Sequence, residues 1–381
     1  MQTNRIATGL LASTLTLGAL GAATVAGAAT TTKVTTPVVH ALFVETDQLT
    51  ANHILTYVRG NDGTISIAGN YLTGGKGGLE TGAVADPLAS QGGVALINGG
   101  ATLVATNAGS NTISVFAVNG TALTLEQQLP SGGTFPTSIA SHGNDVAVLN
   151  AGGAGSVAEF ALANGKLSAI SGEVRSLGLS NTNPPNFLQG PGQVGYTPNG
   201  QHLVVATKKS TSSFEVFSVS KTGVLGATAT ITASNNPVPF AFNFDAAGRL
   251  VDVEAGNSSL NVYTVNANGT LTSVGSIADG QKALCWLSEA QGYFFGSNAG
   301  SANVTSFAEA TDGTPSVLTT VAGTTHAGTT DSVVSPDGKT LYVESGAAGT
   351  IDAFTVGSNG SLTQVETLYN IPVASEGLAV S

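Results

Sequence analysis

Short apolar segments alternate with polar turns along almost the whole chain. A representative stretch is Ser335–Leu368, SPDGKTLYVESGAAGTIDAFTVGSNGSLTQVETL. Its apolar residues fall in short runs with a period close to two, which predicts β-strands. Asp-Gly and Asn-Gly pairs separate these runs, and such pairs accept the positive φ angles of tight hairpin turns. The pattern therefore predicts a chain of short antiparallel strands.

The same phrase occurs seven times, and each copy contains an aromatic residue near the end of a strand. These aromatic residues recur every 44 to 59 residues, at Tyr57, Phe116, Phe160, Phe217, Tyr263, Phe307 and Phe354. A turn dipeptide follows six of them, at Asp62-Gly63, Asn119-Gly120, Asn164-Gly165, Asn268-Gly269, Asp312-Gly313 and Asn359-Gly360. A second turn upstream divides each copy into four strands, and a repeat of this length is typical of propeller blades.

The two ends of the chain predict how the ring closes. The first copy, beginning at ALFVETD, lacks an inner strand, whereas the final EGLAVS matches the inner-strand pattern and has nothing after it. We therefore predict an all-β, seven-bladed β-propeller of four-stranded antiparallel blades, formed as one domain by residues 29–381. Residues 375–381 are expected to complete the first blade, which leaves no open edge in the ring.

The first 28 residues differ from the rest of the chain. Arg5 precedes an uncharged apolar run that ends in Ala26-Gly27-Ala28, a small-residue pattern that signal peptidases favour. We predict a signal peptide at residues 1–28 and therefore an extracytoplasmic protein, either periplasmic or secreted. A retained membrane anchor is the alternative.

Charge and cysteine content narrow the range of partners. The formal net charge of −11 becomes −12 without Arg5, which argues against nucleic acids and anionic membrane surfaces. The single cysteine, Cys285, excludes an internal disulfide and is typical of a core position. No Cys/His cluster or nucleotide-binding fingerprint occurs, so we predict neither a metal nor a cofactor, and we expect a monomer.

Connection lengths indicate the face on which function is expected. The first-to-second and third-to-fourth turns of each blade are short, whereas residues 74–93 and 178–192, on the opposite face, are longer than hairpins need. Long loops on a rigid scaffold commonly carry binding sites. On this face Lys208, Lys209 and Glu254 depart from the Asn and Ser that end the second strands of other blades. We take these three, and Trp286 as a stacking residue, as candidate ligand-binding residues.

Three further residues are candidates for proton transfer. His326 lies in a loop before an inner strand, Asp331 begins that strand, and Glu376 occupies the corresponding position before the closing strand. A histidine with two carboxylates could act as a base if the fold brings the three together. The alternative is a surface histidine with no catalytic role.

The repeats, above all SPDGKTLYVESGAAGTIDAFTVGSNGSLTQVETL, resemble those of the lactonase family of seven-bladed propellers over about residues 40–381. The resemblance implies lactone chemistry like that of bacterial 6-phosphogluconolactonase or carboxymuconate cyclase. The resemblance places the family's catalytic His, Arg-His and Asn-Glu at positions where this chain has Thr137, Gly192-Gln193 and Lys208-Lys209.

These substitutions leave two hypotheses. The first is a divergent hydrolase for a sugar or other small lactone, in which a lysine holds the carboxylate and His326, Asp331 or Glu376 transfers the proton. The second is a non-catalytic propeller that binds a glycan, a small molecule or a protein on its long-loop face.

Overall fold

A computed structural model describes residues 39–381, and the signal peptide predicted at residues 1–28 lies outside this range. The described residues form 28 strands in seven four-stranded antiparallel sheets, with two short 3-10 turns at Asn98–Gly100 and Ala108–Ser110. No helix in this range is long and apolar enough to cross a membrane. The predicted all-β class and the count of seven blades are confirmed.

The strands follow one another in chain order around the ring. The first blade contains β1 (Ala41–Glu45), β2 (His53–Arg59) and β3 (Ile65–Leu72). The second contains β4 (Val94–Ile97), β5 (Thr102–Asn107), β6 (Thr112–Asn119) and β7 (Ala122–Pro130), and the third β8 (Pro136–His142), β9 (Asp145–Asn150), β10 (Ser156–Ala163) and β11 (Lys166–Ser176). The fourth contains β12 (Pro191–Tyr196), β13 (His202–Thr207), β14 (Ser213–Ser218) and β15 (Thr230–Ala233).

The remaining blades have the same order. The fifth contains β16 (Pro239–Phe244), β17 (Leu250–Glu254), β18 (Ser259–Val265) and β19 (Leu271–Ala278). The sixth contains β20 (Leu284–Ala290), β21 (Tyr293–Asn298), β22 (Asn303–Glu309) and β23 (Pro315–Thr324). The seventh contains β24 (Thr329–Val334), β25 (Thr340–Ser345), β26 (Thr350–Val356) and β27 (Leu362–Tyr369), and β28 (Leu378–Val380) follows it.

The C-terminal strand closes the ring as the unmatched inner strand predicted. β28 pairs antiparallel with β1, in a register that places Val380 opposite Leu42 and Leu378 opposite Val44. The Ala41 amide donates to the Ser381 hydroxyl at 2.9 Å, which extends the pairing by one residue. The first and last segments of the propeller thus share one sheet, and β28 covers the inner edge of β1.

Apolar clusters between neighbouring blades hold the ring together. Each of the seven large clusters combines residues of two adjacent blades, so every interface between blades has its own core. The seven repeated aromatic residues lie on the third strand of their blades and are at most 2% exposed. Truncating a buried aromatic side chain of this kind costs about 3–5 kcal/mol, so the repeat is maintained by packing.

Candidate functional site

The long connection at residues 74–93 crosses the axis on the predicted functional face. Ser90 donates to the Thr137 carbonyl of the third blade at 2.8 Å, and the Gln91 amide donates to the Gly192 carbonyl of the fourth at 2.9 Å. The Gln91 side chain also exchanges two hydrogen bonds with the backbone of Leu287 in the sixth blade. These contacts reach inner strands on several sides, so the connection lies over the centre of the ring.

Asp86 shapes the part of this connection that enters the interior. Its carboxylate accepts hydrogen bonds from the backbone amides of Leu88, Ala89 and Ser90 at 2.8, 2.7 and 3.0 Å. Leu88 packs against Ala108, among other buried residues, in a small apolar cluster beneath the connection. The sequence thus folds locally as a carboxylate-capped turn, because an Asp side chain readily accepts bonds from the amides that follow it.

Lys208 lies beneath the same connection and is completely buried. Its ammonium group donates to the Ala89 carbonyl, lies 3.7 Å from Glu80, and lies 5.3 Å from the centre of the Phe240 ring. A buried ammonium needs such partners, because desolvation of an unpaired charge costs several kcal/mol. Lys208 is therefore a counter-ion of the interior, and its position at the end of a strand does not expose it to a ligand.

Buried carboxyl groups surround the axis next to Lys208. Asp47, Asp331, Glu344 and Glu376 are at most 3% exposed, and Asp86 is 5% exposed. Both carboxyl oxygens of Asp47, Glu344 and Glu376 are buried without a hydrogen-bond donor among the described residues. Several acids and one buried lysine cannot all be charged at moderate cost, so part of this cluster is protonated in the folded state.

The pKa values of these carboxyls follow from the crowding. Burial, together with repulsion from neighbouring carboxylates, raises the pKa of Glu344 and Glu376 well above the usual value and that of Asp331 to about 7. Burial raises the pKa of Asp86 to about 6, with Lys208 opposing the shift, and that of Glu80 to about 8. Asp86 and Glu376 adjoin each other, so a single proton held between them would supply the donor that Glu376 lacks.

A cavity of about 770 Å³ opens beside this cluster on the long-loop face. Asp86 and Lys209 are the charged residues of its wall, and the rest of the wall is apolar side chains and glycine. Phe187 contributes a half-buried ring to the wall, and the rings of Phe240 and Trp286, 6% and 3% exposed, lie behind it; alanine and glycine in the surrounding turns leave the space open. The volume lies within the range usual for small-molecule sites.

Two of the predicted ligand-binding residues lie on this cavity and two do not. Lys209 is exposed and lines the wall. Trp286 also lines the wall; its indole donates a hydrogen bond to the Ser90 carbonyl at 2.8 Å and packs edge-on against Phe240. Lys208 is buried behind the wall. Glu254 is also buried, and its carboxylate accepts a hydrogen bond from the Tyr263 hydroxyl at 3.2 Å.

Of the three residues predicted for proton transfer, two lie together and one lies elsewhere. Asp331 and Glu376 belong to the axial carboxyl cluster, where Asp331 accepts the backbone amides of Ser332 and Leu378. His326 instead contacts Asp352 at 3.1 Å and the edge of Tyr369. It forms no hydrogen bond with Asp331 or Glu376, so the fold brings together two of the three.

The sequence reasoning missed Asp86 and also Glu45, a completely buried acid whose charge contributes to the raised pKa of Glu376. Asp86 carries a weak signal in the stretch ADPLAS, since an Asp followed by Pro and small residues suits a carboxylate-capped turn. Glu45 ends β1 and so corresponds to the strand-end residues of other blades, but it lies twelve residues before Tyr57 instead of nine. Nothing local shows that either would be buried, because burial depends on chain segments distant in sequence.

Cys285 also lines the cavity, but its environment does not favour reactivity. Burial raises the pKa of its thiol to about 12, so the thiol stays protonated and is a poor nucleophile. Within residues 39–381, no group of three or more His, Cys, Asp and Glu side chains is arranged to hold a metal ion.

Comparison with known proteins agrees with this architecture. The family described as Lactonase, 7-bladed beta-propeller, matches residues 155–288. No curated protein gives a significant match. A structure from Bacteroides fragilis, described as a candidate 6-phosphogluconolactonase, is 17% identical, with a TM-score of 0.68 over 91% of this chain and 99% of that chain.

A second structure, the periplasmic gluconolactonase PpgL of Pseudomonas aeruginosa, is 16% identical, with a TM-score of 0.70 over 90% of this chain and 99% of that chain. At these identities the likeness to the two structures shows the fold and leaves the activity of this chain open. Together with the family match at residues 155–288, it confirms the resemblance to lactonase-family seven-bladed β-propellers that the repeats predicted.

Proposed function

We propose that the protein hydrolyses a small lactone in the loop-face cavity, with Asp86 as the general base. The observation that carries the proposal is that Asp86 lies in the cavity wall and adjoins the buried carboxyl of Glu376. A base works best when its pKa lies near the working pH, and the pKa of Asp86, about 6, meets that condition.

The reaction adds one water to the ring. The water oxygen attacks the lactone carbonyl while Asp86 takes its proton; the bond from the acyl carbon to the ring oxygen then breaks, and the ring oxygen receives that proton. The product is a hydroxy acid, whose new carboxyl group releases the second water proton to solvent and becomes a carboxylate. Lys209 lies on the same wall and can pair with that carboxylate. Glu376, which touches no substrate, keeps the proton that the pair shares and donates it in a hydrogen bond to Asp86, so that Asp86 is free to act as the base.

An exchange of one acid for its amide tests this role. Asp86→Asn keeps a side-chain acceptor for the turn but removes the base, and we expect the rate to fall about 10²-fold or more. Asp312→Asn is the matched control, because Asp312 caps a turn on the opposite face through the Thr314 amide at 2.9 Å. The assay is lactone opening by the purified protein, with circular dichroism to verify folding. Equal rates for Asp86→Asn and the parent would refute the assignment of Asp86.

A non-catalytic binding protein is the second candidate. The wall favours it because Asp86 is its one acid, and the carboxylate of Asp86 already accepts hydrogen bonds from three backbone amides. Ligand binding without turnover of any lactone would favour this candidate over the hydrolase.

We also propose that the protein is exported and acts outside the cytoplasm as a monomer. The pattern at residues 1–28 supports export, and the Pseudomonas aeruginosa protein with the same fold is periplasmic. Mass spectrometry of secreted protein should find an N-terminus near Ala29; intact protein that starts at Met1 in the membrane fraction would contradict cleavage.

A further inference from the structure

The chemistry of the cavity wall limits what can bind there. A sugar lactone carries several hydroxyl groups, and each one buried without a partner costs roughly 1–3 kcal/mol. Apart from Asp86 and Lys209, the side chains of the wall offer almost no hydrogen-bonding groups, and the Trp286 indole already donates to Ser90. A polyhydroxylated ring therefore fits this wall poorly.

The aromatic part of the wall is well suited to a planar ring. Phe187 contributes a half-buried ring to the cavity, and the largely buried rings of Phe240 and Trp286 support it, packed edge to face with their centroids 5.0 Å apart. Because their partners are fixed, these rings present a preformed apolar surface and lose little freedom when a ligand binds.

A single available cation sets the charge of the ligand. Lys209 is exposed at the wall and forms no ion pair with any residue between 39 and 381. Lys208, its neighbour in sequence, is committed to Glu80 and the Ala89 carbonyl. One ammonium group matches one carboxylate, whereas a phosphate dianion usually needs several donors.

We propose that the cavity binds an aromatic hydroxy acid with a single carboxylate, and the lactone from which that acid forms, in preference to sugar lactones and sugar acids. This ligand class rests on the proposed function in naming the cavity as the active site. The volume of about 770 Å³ accommodates a bicyclic lactone such as dihydrocoumarin.

The chain carries its own reporter for the test. Trp286 is the only tryptophan and lies in the cavity wall, so a change in tryptophan fluorescence reports on this site alone. The probes are 3-(2-hydroxyphenyl)propanoate, its uncharged amide, and gluconate. We expect the aromatic acid to change the fluorescence with saturation, the amide to bind roughly tenfold more weakly, and gluconate to have no effect.

Two variants locate the binding. Lys209→Met should weaken binding of the aromatic acid by roughly tenfold and leave binding of the amide unchanged, since only the acid carries a negative charge. Ala299→Phe should fill the cavity and abolish binding of both. The controls are Lys221→Met and Ala267→Phe, exposed residues in turns of the opposite face, which should bind as the parent does.

The outcomes separate this proposal from the proposed function. Fluorescence saturation with the aromatic acid, together with no turnover of dihydrocoumarin, would support the ligand class and contradict the proposed hydrolase function. Turnover of gluconolactone without a fluorescence response to the aromatic acid would overturn the ligand class and support the proposed hydrolase function. Binding of the acid that Lys209→Met and Ala299→Phe leave unchanged would also overturn the ligand class, because it would place the ligand elsewhere.

Discussion

Replacement of Lys208 by methionine tests whether the centre of the propeller depends on one buried cation. Lys208 is completely buried, lies 3.7 Å from Glu80, and opposes the rise in the pKa of Asp86. Methionine has a similar length without the charge, so the substitution removes the counter-ion with little change in volume.

The size of the effect should depend on pH. Removing one partner of a buried ion pair typically costs about 3–5 kcal/mol, because the other charge is left unpaired. Here Glu80 can take up a proton instead. Its pKa is about 8 with Lys208 opposing the rise and is higher without Lys208, so at pH 9 the parent is ionised while the variant keeps the proton, and the pH-dependent loss is about 1.4 kcal/mol. At pH 5 Glu80 is protonated, no ion pair exists to be broken, and the loss should be much smaller.

Urea unfolding at pH 5 and pH 9 measures the difference. The double variant Lys208→Met/Glu80→Gln removes both members of the pair, so it should recover the part of the stability at pH 9 that depends on Glu80, while Asp86 still lacks the charge of Lys208. A single variant as stable as the parent at pH 9, or an equal loss at both pH values, would refute the assignment of Lys208 as counter-ion. Lys209→Met is the control, because Lys209 is exposed and should leave unfolding unchanged at either pH.

Two further outcomes follow from the closure and from the carboxyl cluster. Deletion of residues 375–381 removes β28, exposes β1 as an inner edge and takes Leu378 and Val380 out of an apolar cluster. We therefore expect aggregation or a large fall in melting temperature. A truncated protein that melts like the full chain would contradict the role of β28 in closure. The folded-state pKa values of Asp86, Asp331 and Glu80 are raised to about 6, 7 and 8. As pH rises, the unfolded chain therefore releases these protons at a lower pH than the folded chain does, and the free energy of unfolding should fall between about pH 4 and pH 8. Each group contributes about 1.4 kcal/mol per unit of its pKa shift. Urea midpoints should therefore be highest near pH 4–5, Glu344→Gln should flatten the decline, and a maximum above pH 7 would contradict the raised pKa values.

Much of the fold was predictable because its determinants are local and repeated. The hairpin dipeptides, the aromatic residue of each third strand and the alternation within strands lie within one blade of sequence. Even the closure was visible, since the first copy lacks an inner strand and the chain ends on one. A blade that cannot bury both faces alone must pack against neighbours, and this requirement sets the architecture.

The candidate site was predictable only in part. Sequence reasoning indicated the face on which the cavity opens and two residues of its wall, Lys209 and Trp286, but it grouped His326 with Asp331 and Glu376. The structure gives His326 a different partner, Asp352, on its own blade. That choice depends on how side chains of neighbouring strands are oriented, which a repeat pattern does not specify.

By itself, the sequence determined the seven blades, their strand order and the closing strand, because each is encoded by short-range patterns. Only the tertiary structure decided which charged residues are buried. Lys208 and Ala89 are 119 residues apart, and Trp286 and Ser90 are 196 apart, yet both pairs are joined by hydrogen bonds at the centre of the ring. Burial, and with it the pKa of every axial carboxyl, depends on all the segments that meet at one point, and only the folded chain brings those segments together.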